Sequence, residues 1–162
     1  MSTMVKDPVC GMDVDPAQLE TVYEGIHYAF CSEQCRQRFI ANPHLYIGVP
    51  GEKAPKQKGM ELFKRRRFQL DAPLAPQEAA VLTEALGAMM GVKAVDIQGD
   101  NMVTITYDLL QATADQLEAK MAEAGAKLGE GWAERLRRDF VHYIEECEVG
   151  NLEVHSRHGH RH

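Results

Sequence analysis

Long hydrophobic runs are missing from this chain. No stretch of eighteen or more residues is apolar, so a membrane-spanning helix is not expected. The opening Met-Ser-Thr-Met-Val-Lys-Asp-Pro lacks the apolar core of a secretory signal. Cysteine is scarce: four in 162 residues is too few for a disulfide-stapled secreted scaffold. A reducing cytoplasm is the expected compartment, where closely spaced thiols serve metals or redox chemistry. Positive charge is not in excess. Eighteen Lys and Arg against 24 Asp and Glu give a net charge of −6, which removes the usual electrostatic basis for nucleic-acid binding. Catalytic signatures are absent too. There is no Gly-rich phosphate loop and no His-Glu-x-x-His, and the Cys31-x-x-x-Cys35 gap is one residue longer than a thioredoxin-type pair. The chain therefore reads as a non-enzyme, long enough for one full domain or two small ones.

What is present is concentrated near the beginning. Three of the four cysteines, Cys10, Cys31 and Cys35, lie within residues 7–46. Asp7-Pro8-Val9-Cys10-Gly11-Met12 reads as a turn-rich knuckle, with Gly11 allowing a sharp bend after the thiol. Residues 21–30 read as a hairpin turning near Glu24 and Gly25. Ser32 is a good N-cap for a helix that runs to about Ala41 and stops before Pro43. On that helix Cys31 and Cys35 lie one turn apart on one face. Backbone N–H groups at the helix start are expected to lower both thiol pKa values. Thiolates are soft ligands and select Cu(I) or Zn(II) over Mg(II) or Ca(II). Three of them suit trigonal Cu(I), whereas a structural Zn(II) site wants a fourth ligand, for which Met12, His27 and Cys147 are the candidates. The spacing alone leaves a second reading open, in which three small thiols fill a reduced core. The apolar residues here make only a small core, which a bound metal would reinforce.

Residues 48–60, rich in Gly, Pro and Lys, read as a linker. Beyond it the pattern changes. Residues 62–70 form a candidate strand interrupted by the basic run from Lys64 to Arg67, either a solvated strand face or a dock for an acidic partner. Pro76 suits a first helical turn, followed by Ala79, Leu82, Leu86 and Met89 at helical spacing. Val95 and Ile97, then Val103, Ile105 and Tyr107, alternate on either side of a Gly99-Asp100-Asn101 turn. Thr113 and Gln116 form a capping box ahead of Leu117 and Met121, and residues 126–128 suit a short last strand. The order β-α-β-β-α-β is the ferredoxin-like arrangement. Residues 131–150 read as an amphipathic helix carrying Trp132, Leu136, Phe140, Tyr143 and Cys147 on one stripe. That stripe is expected to be buried against the open face of the sheet, the first domain or a second copy of the chain, with Cys147 an inert buried thiol. Residues 151–162 read as a His-containing polar tail, either a weak Ni(II), Cu(II) or Zn(II) binder or a disordered end. The fold class is thus α+β, with domains at 1–47 and 61–130.

With these residues in view, residues 7–47 resemble a YHS domain, the small treble-clef-like module related to TRASH domains. The resemblance rests on the knuckle 7–12, on Tyr23, Gly25 and Tyr28, on Phe30-Cys31-Ser32-Glu33-Gln34-Cys35, and on Phe39 and Asn42-Pro43. It implies a metal-binding module, often attached to copper-transporting ATPases and other heavy-metal proteins, with Cys10, Cys31 and Cys35 sharing one metal. Residues 61–128 are similar in topology to a heavy-metal-associated domain. Copper-binding members carry Cys-x-x-Cys before the first helix, where this chain has Asp71-Ala72-Pro73-Leu74-Ala75-Pro76. The expectation is a metal-binding protein, foremost a Cu(I) chaperone, buffer or accessory to a copper exporter. The alternative is a structural Zn(II) protein that acts through docking or dimerisation.

Overall fold

Short-range signals set the first elements. The computed structural model describes residues 3–157. These fall into two compact units, one holding the chain up to Glu61 together with the segment from Glu148 onward, the other Leu62–Cys147. In the first unit, β1 (Val5–Lys6) pairs antiparallel with β2 (Asp13–Val14) around the knuckle. A second hairpin joins β3 (Thr21–Tyr23) to β4 (Ile26–Tyr28). Its turn residues Glu24 and Gly25 both have positive φ, 52° and 79°, the type I′ geometry that matches strand twist. Ser32 caps α1 (Glu33–Ala41) by accepting the Cys35 N–H, and a 3-10 turn over Pro43–Leu45 follows.

The core of this unit is small and aromatic. Phe39, 1% exposed, has Tyr28 at 5.0 Å, Phe30 at 5.3 Å, Tyr23 at 6.0 Å and Tyr46 at 6.2 Å between ring centroids. Residues 48–60, linker-like by composition, are folded onto it. Ala54 is fully buried, Lys56 N–H donates to the Leu45 carbonyl at 2.9 Å, and Gln57 Oε1 accepts the N–H groups of Gly48 and Ala54 at 3.1 and 2.8 Å. Composition marks low apolar content there, and backbone hydrogen bonds supply the order instead.

In the second unit β5 (Phe63–Gln69), β6 (Val92–Gln98) and β7 (Met102–Asp108) form an antiparallel sheet in the order β5-β7-β6. Helices α2 (Pro76–Gly87) and α3 (Ala114–Glu123) complete the crossover connections, with Thr113 and Gln116 forming the capping box. Leu82, Leu86, Val103, Ile105, Tyr107, Leu117 and Met121 are buried. The expected last strand is reduced to one bridge, Leu128 against Leu70, flanked by hydrogen bonds from Asp71 N to Lys127 O and Gly129 N to Gln69 O. Gly125 and Gly129 on either side leave too little chain for a longer ladder. The architecture remains the α+β, ferredoxin-like one. The basic run does not interrupt β5: Arg65 and Arg67 are exposed, while Lys64 and Arg66 share a face with Tyr107 and Ile105 through the register of β5 and β7.

The largest departure from expectation is α4 (Trp132–Arg157), which extends through residues read as tail. Residues 158–162 lie outside the described residues, as do the side chains of Trp132 and His155. The apolar stripe faces outward: Leu136 is 60%, Phe140 61%, Tyr143 63% and Ile144 38% exposed, and Cys147 is exposed rather than buried. The opposite, polar face packs inward. Glu145, 3% exposed, accepts the Tyr107 hydroxyl and the Ala114 N–H (2.8 Å), with Arg66 Nε at 3.8 Å. His142 Nε2 meets Glu118 at 2.5 Å, Arg138 Nε lies 3.6 Å from Glu118, and Arg138 Nη1 donates to the Gly129 carbonyl at 2.7 Å. A buried carboxylate held by several donors fixes the rotation of the helix, which periodicity alone leaves open. In the first unit, Glu153 near the end of α4 accepts the His44 N–H at 2.7 Å and the Asn42 amide at 3.3 Å.

Candidate metal centre

The knuckle and the start of α1 bring three sulfurs together. Cys10 Sγ lies 3.4 Å from Cys31 Sγ, which lies 3.6 Å from Cys35 Sγ. These three ligand atoms and a carboxylate oxygen of Asp7 all fall within 4.8 Å of one another. Three sulfurs bonded to one ion at about 2.3 Å would stand roughly 3.8–4.0 Å apart. The Cys10–Cys31 and Cys31–Cys35 separations are a few tenths of an ångström shorter than that, a gap that small rotamer shifts would close.

Local geometry explains the convergence. The knuckle closes through Gly11 N–H to Asp7 O (2.8 Å) and Asp7 N–H to Met12 O (2.9 Å), with Gly11 at φ 80°. The Asp7 side chain, 1% exposed, then ties the knuckle to the helix start. Its Oδ1 accepts the N–H groups of Val9 (2.7 Å) and Cys10 (3.2 Å), and its Oδ2 accepts that of Cys31 (2.8 Å). Three of its roughly four lone-pair sites are thus engaged. Asp7 acts chiefly as the strut that sets the distance between two thiol-bearing backbones. Sequence reasoning did not single it out, although an Asp two residues before a buried Val and three before a Cys is a local N–H acceptor signal.

The thiols are not equivalent. Cys10 is pulled down from 9.0 to about 7, first by a hydrogen bond from Cys35, against the opposing effect of burial. Cys31 is pushed up to about 11, mainly by burial. Cys35 is raised strongly, first because its S–H donates a hydrogen bond to the Cys10 sulfur and then by burial. The expectation that the helix start lowers Cys31 and Cys35 is therefore corrected. Ser32 Oγ takes the Cys35 N–H, and desolvation outweighs what dipole remains. The metal-free site is poised as one thiolate, at Cys10, supported by two thiols.

Of the other candidates, His27 is exposed on β4 and pairs with Glu20 at 3.3 Å, outside the cluster. Met12 is in the knuckle with its side chain 48% exposed. Cys147 belongs to the second unit. Cys10 also lines an open surface pocket of about 390 Å³ with Lys6, Tyr28, Tyr46 and Lys56.

Residues 5–49 match the YHS domain family. Over 46 residues the chain is 46% identical to a copper-transporting P-type ATPase of Rhizobium leguminosarum bv. viciae, covering 27% of this chain and 6% of that protein. The chain thus spans only a small part of the length of that relative. Among solved structures, oxidized MerP from Ralstonia metallidurans CH34 aligns with 41% of this chain and 94% of its own, at 16% identity and a TM-score of 0.39. No helix among the described residues is long and apolar enough to cross a membrane.

Proposed function

We propose that the protein is a non-catalytic Cu(I)-binding factor of the cytoplasm that carries copper as cargo on Cys10, Cys31 and Cys35. The carrying observation is the convergence of those three sulfurs within reach of one ion. A three-sulfur donor set is complete for trigonal Cu(I) and one short for tetrahedral Zn(II). The fourth group in the cluster, Asp7, already has three backbone donors on its oxygens, which favours copper over a closed zinc site. The likeness of residues 5–49 to the YHS family, and of 46 residues to a copper-transporting ATPase, supports the same reading.

Cargo must leave as well as bind. Cys10 opens onto the surface pocket and carries the lowest thiol pKa of the three, so it is the natural first ligand to accept an incoming ion and the first to be exchanged for a partner's thiolate. The second unit is ferredoxin-like in strand order and holds no cysteine pair, since no cysteine falls between Cys35 and Cys147. Its role in this reading is docking, to a copper-transporting ATPase or another heavy-metal protein, and not ligation. Titration of the reduced chain with Cu(I) against a chromogenic chelator tests the proposal. One tight equivalent is expected, lost in Cys31→Ser and Cys35→Ser. Unchanged binding in both variants, or stoichiometric zinc that Cu(I) cannot displace, overturns it.

A further inference from the structure

We infer that the outward stripe of α4 is a self-association surface, pairing with the same stripe of a second copy in a parallel, two-stranded coiled coil. This goes beyond the metal reading and does not depend on it, because Leu136, Phe140, Tyr143 and Cys147 all lie in the second unit.

The first support is the inversion of the helix. An ordinary surface helix buries its apolar stripe and exposes its charges. Here Glu145 is buried under Tyr107 and Ala114, and His142 and Arg138 close on Glu118. Leu136, Phe140, Tyr143 and Ile144 point away, and a rotation to bury them would expel a satisfied carboxylate and leave the Ala114 N–H unpaired. The exposed stripe is thus enforced by the fold.

Its spacing and size come next. Residues 136, 140, 143 and 147 follow the 4-3-4 rhythm of a coiled-coil seam, on a helix of 26 residues, about 39 Å long. With aromatic side chains burying 150–250 Å², the exposed parts of the four large residues amount to roughly 400 Å² per copy. A matched pair removes about twice that, and the flanking stems of Arg137 and Glu146 carry the total toward the ~1,200 Å² lower bound of specific interfaces. A contiguous apolar patch of roughly 400 Å² is in the range of the largest patch on a typical monomer, which is often functional.

Charge separates the two directions of pairing. In a parallel pair the flanking Asp139 and Glu146 fall beside Ile144 and Asn151 of the other copy, so no like charges meet. In an antiparallel pair Asp139 falls beside Glu146, which is repulsive. Parallel pairing also sets the two Cys147 thiols in one layer of the seam.

Sedimentation of the full-length, reduced, metal-free chain across the micromolar range tests this. The expected particle has twice the 18.1 kDa mass of the chain. Phe140→Glu and Leu136→Glu should weaken the dimer by roughly 30-fold or more, as loss of central hot-spot residues does, with far-UV circular dichroism unchanged. Mild oxidation should cross-link the wild type but not Cys147→Ser. A monomeric wild type overturns the inference, as does a dimer indifferent to both substitutions. A monomer destabilised by Phe140→Glu also overturns it, because the stripe would then be covered within its own chain. A stripe-dependent dimer that Cys147 cannot cross-link refutes the parallel arrangement.

Discussion

The carboxylate of Asp7 accepts the backbone N–H of Cys31 at 2.8 Å across 24 residues of sequence, and this bond sets the reach between two of the three thiols. Asp7→Asn keeps one acceptor oxygen but turns an amide donor toward a donor. The buried N–H groups left short of a partner cost about 1–3 kcal/mol. A lower unfolding midpoint of the metal-free protein and weaker Cu(I) retention in chelator competition are expected together. Wild-type behaviour in both would refute the role assigned to Asp7.

Thiol reactivity should separate by position. With its pKa lowered to about 7, Cys10 is mostly protonated below that pH and mostly thiolate above it. Its alkylation rate in metal-free protein should rise through pH 7 and level off beyond. Cys31, pushed up to about 11, should lag through the whole neutral range. Mass spectrometry of peptides after timed alkylation reads this directly, and equal labelling of Cys10 and Cys31 at pH 7.5, a value about half a unit above the expected midpoint, contradicts it. Because metal replaces protons at the sulfurs, affinity should also fall as pH drops.

Phe39 sits at the centre of the first unit's aromatic core. Phe39→Ala should destabilise the first unit by about 3–5 kcal/mol, enough to unfold so small a core. Adding Cu(I) should recover part of the lost structure, since the folded state holds the ion and the unfolded chain does not hold it equally well. Circular dichroism with and without Cu(I) decides; a variant that stays folded without metal shows the core to be self-sufficient.

Glu145 governs the second unit in a comparable way. Glu145→Ala removes the acceptor for the Tyr107 hydroxyl and the Ala114 N–H and deprives half-buried Arg66 of the carboxylate 3.8 Å from its Nε. A loss of about 3 kcal/mol in denaturant unfolding is expected, with release of α4 seen as faster amide exchange along residues 134–147. Exchange unchanged in that helix would contradict the lock described above.

Much of the scaffold was legible because its signals are local. Ser32 and the Thr113–Gln116 box mark helix starts, Glu24-Gly25 marks a hairpin turn, and the Val103, Ile105, Tyr107 alternation marks β7 as a strand. Cys31 and Cys35 were readable as a pair, since four residues make one helical turn. Residues 48–60 were less so, because their order comes from Gln57 and from Lys56 reaching Leu45, contacts that composition does not encode. His27 looked like a ligand from its nearness in sequence to Cys31, yet strand geometry turns it toward Glu20.

The sequence by itself determined most of the helices and hairpins, the three-cysteine spacing and the existence of two chemically different faces on α4. The tertiary structure decided which α4 face turns inward, which thiol holds the charge, and what Asp7 does. Each of these depends on partners far apart in the chain: Glu145 with Tyr107, Cys10 with Cys35, Asp7 with Cys31. Periodicity specifies that a helix has two sides, but the free energy of burying one of them is set by the donors and acceptors waiting there.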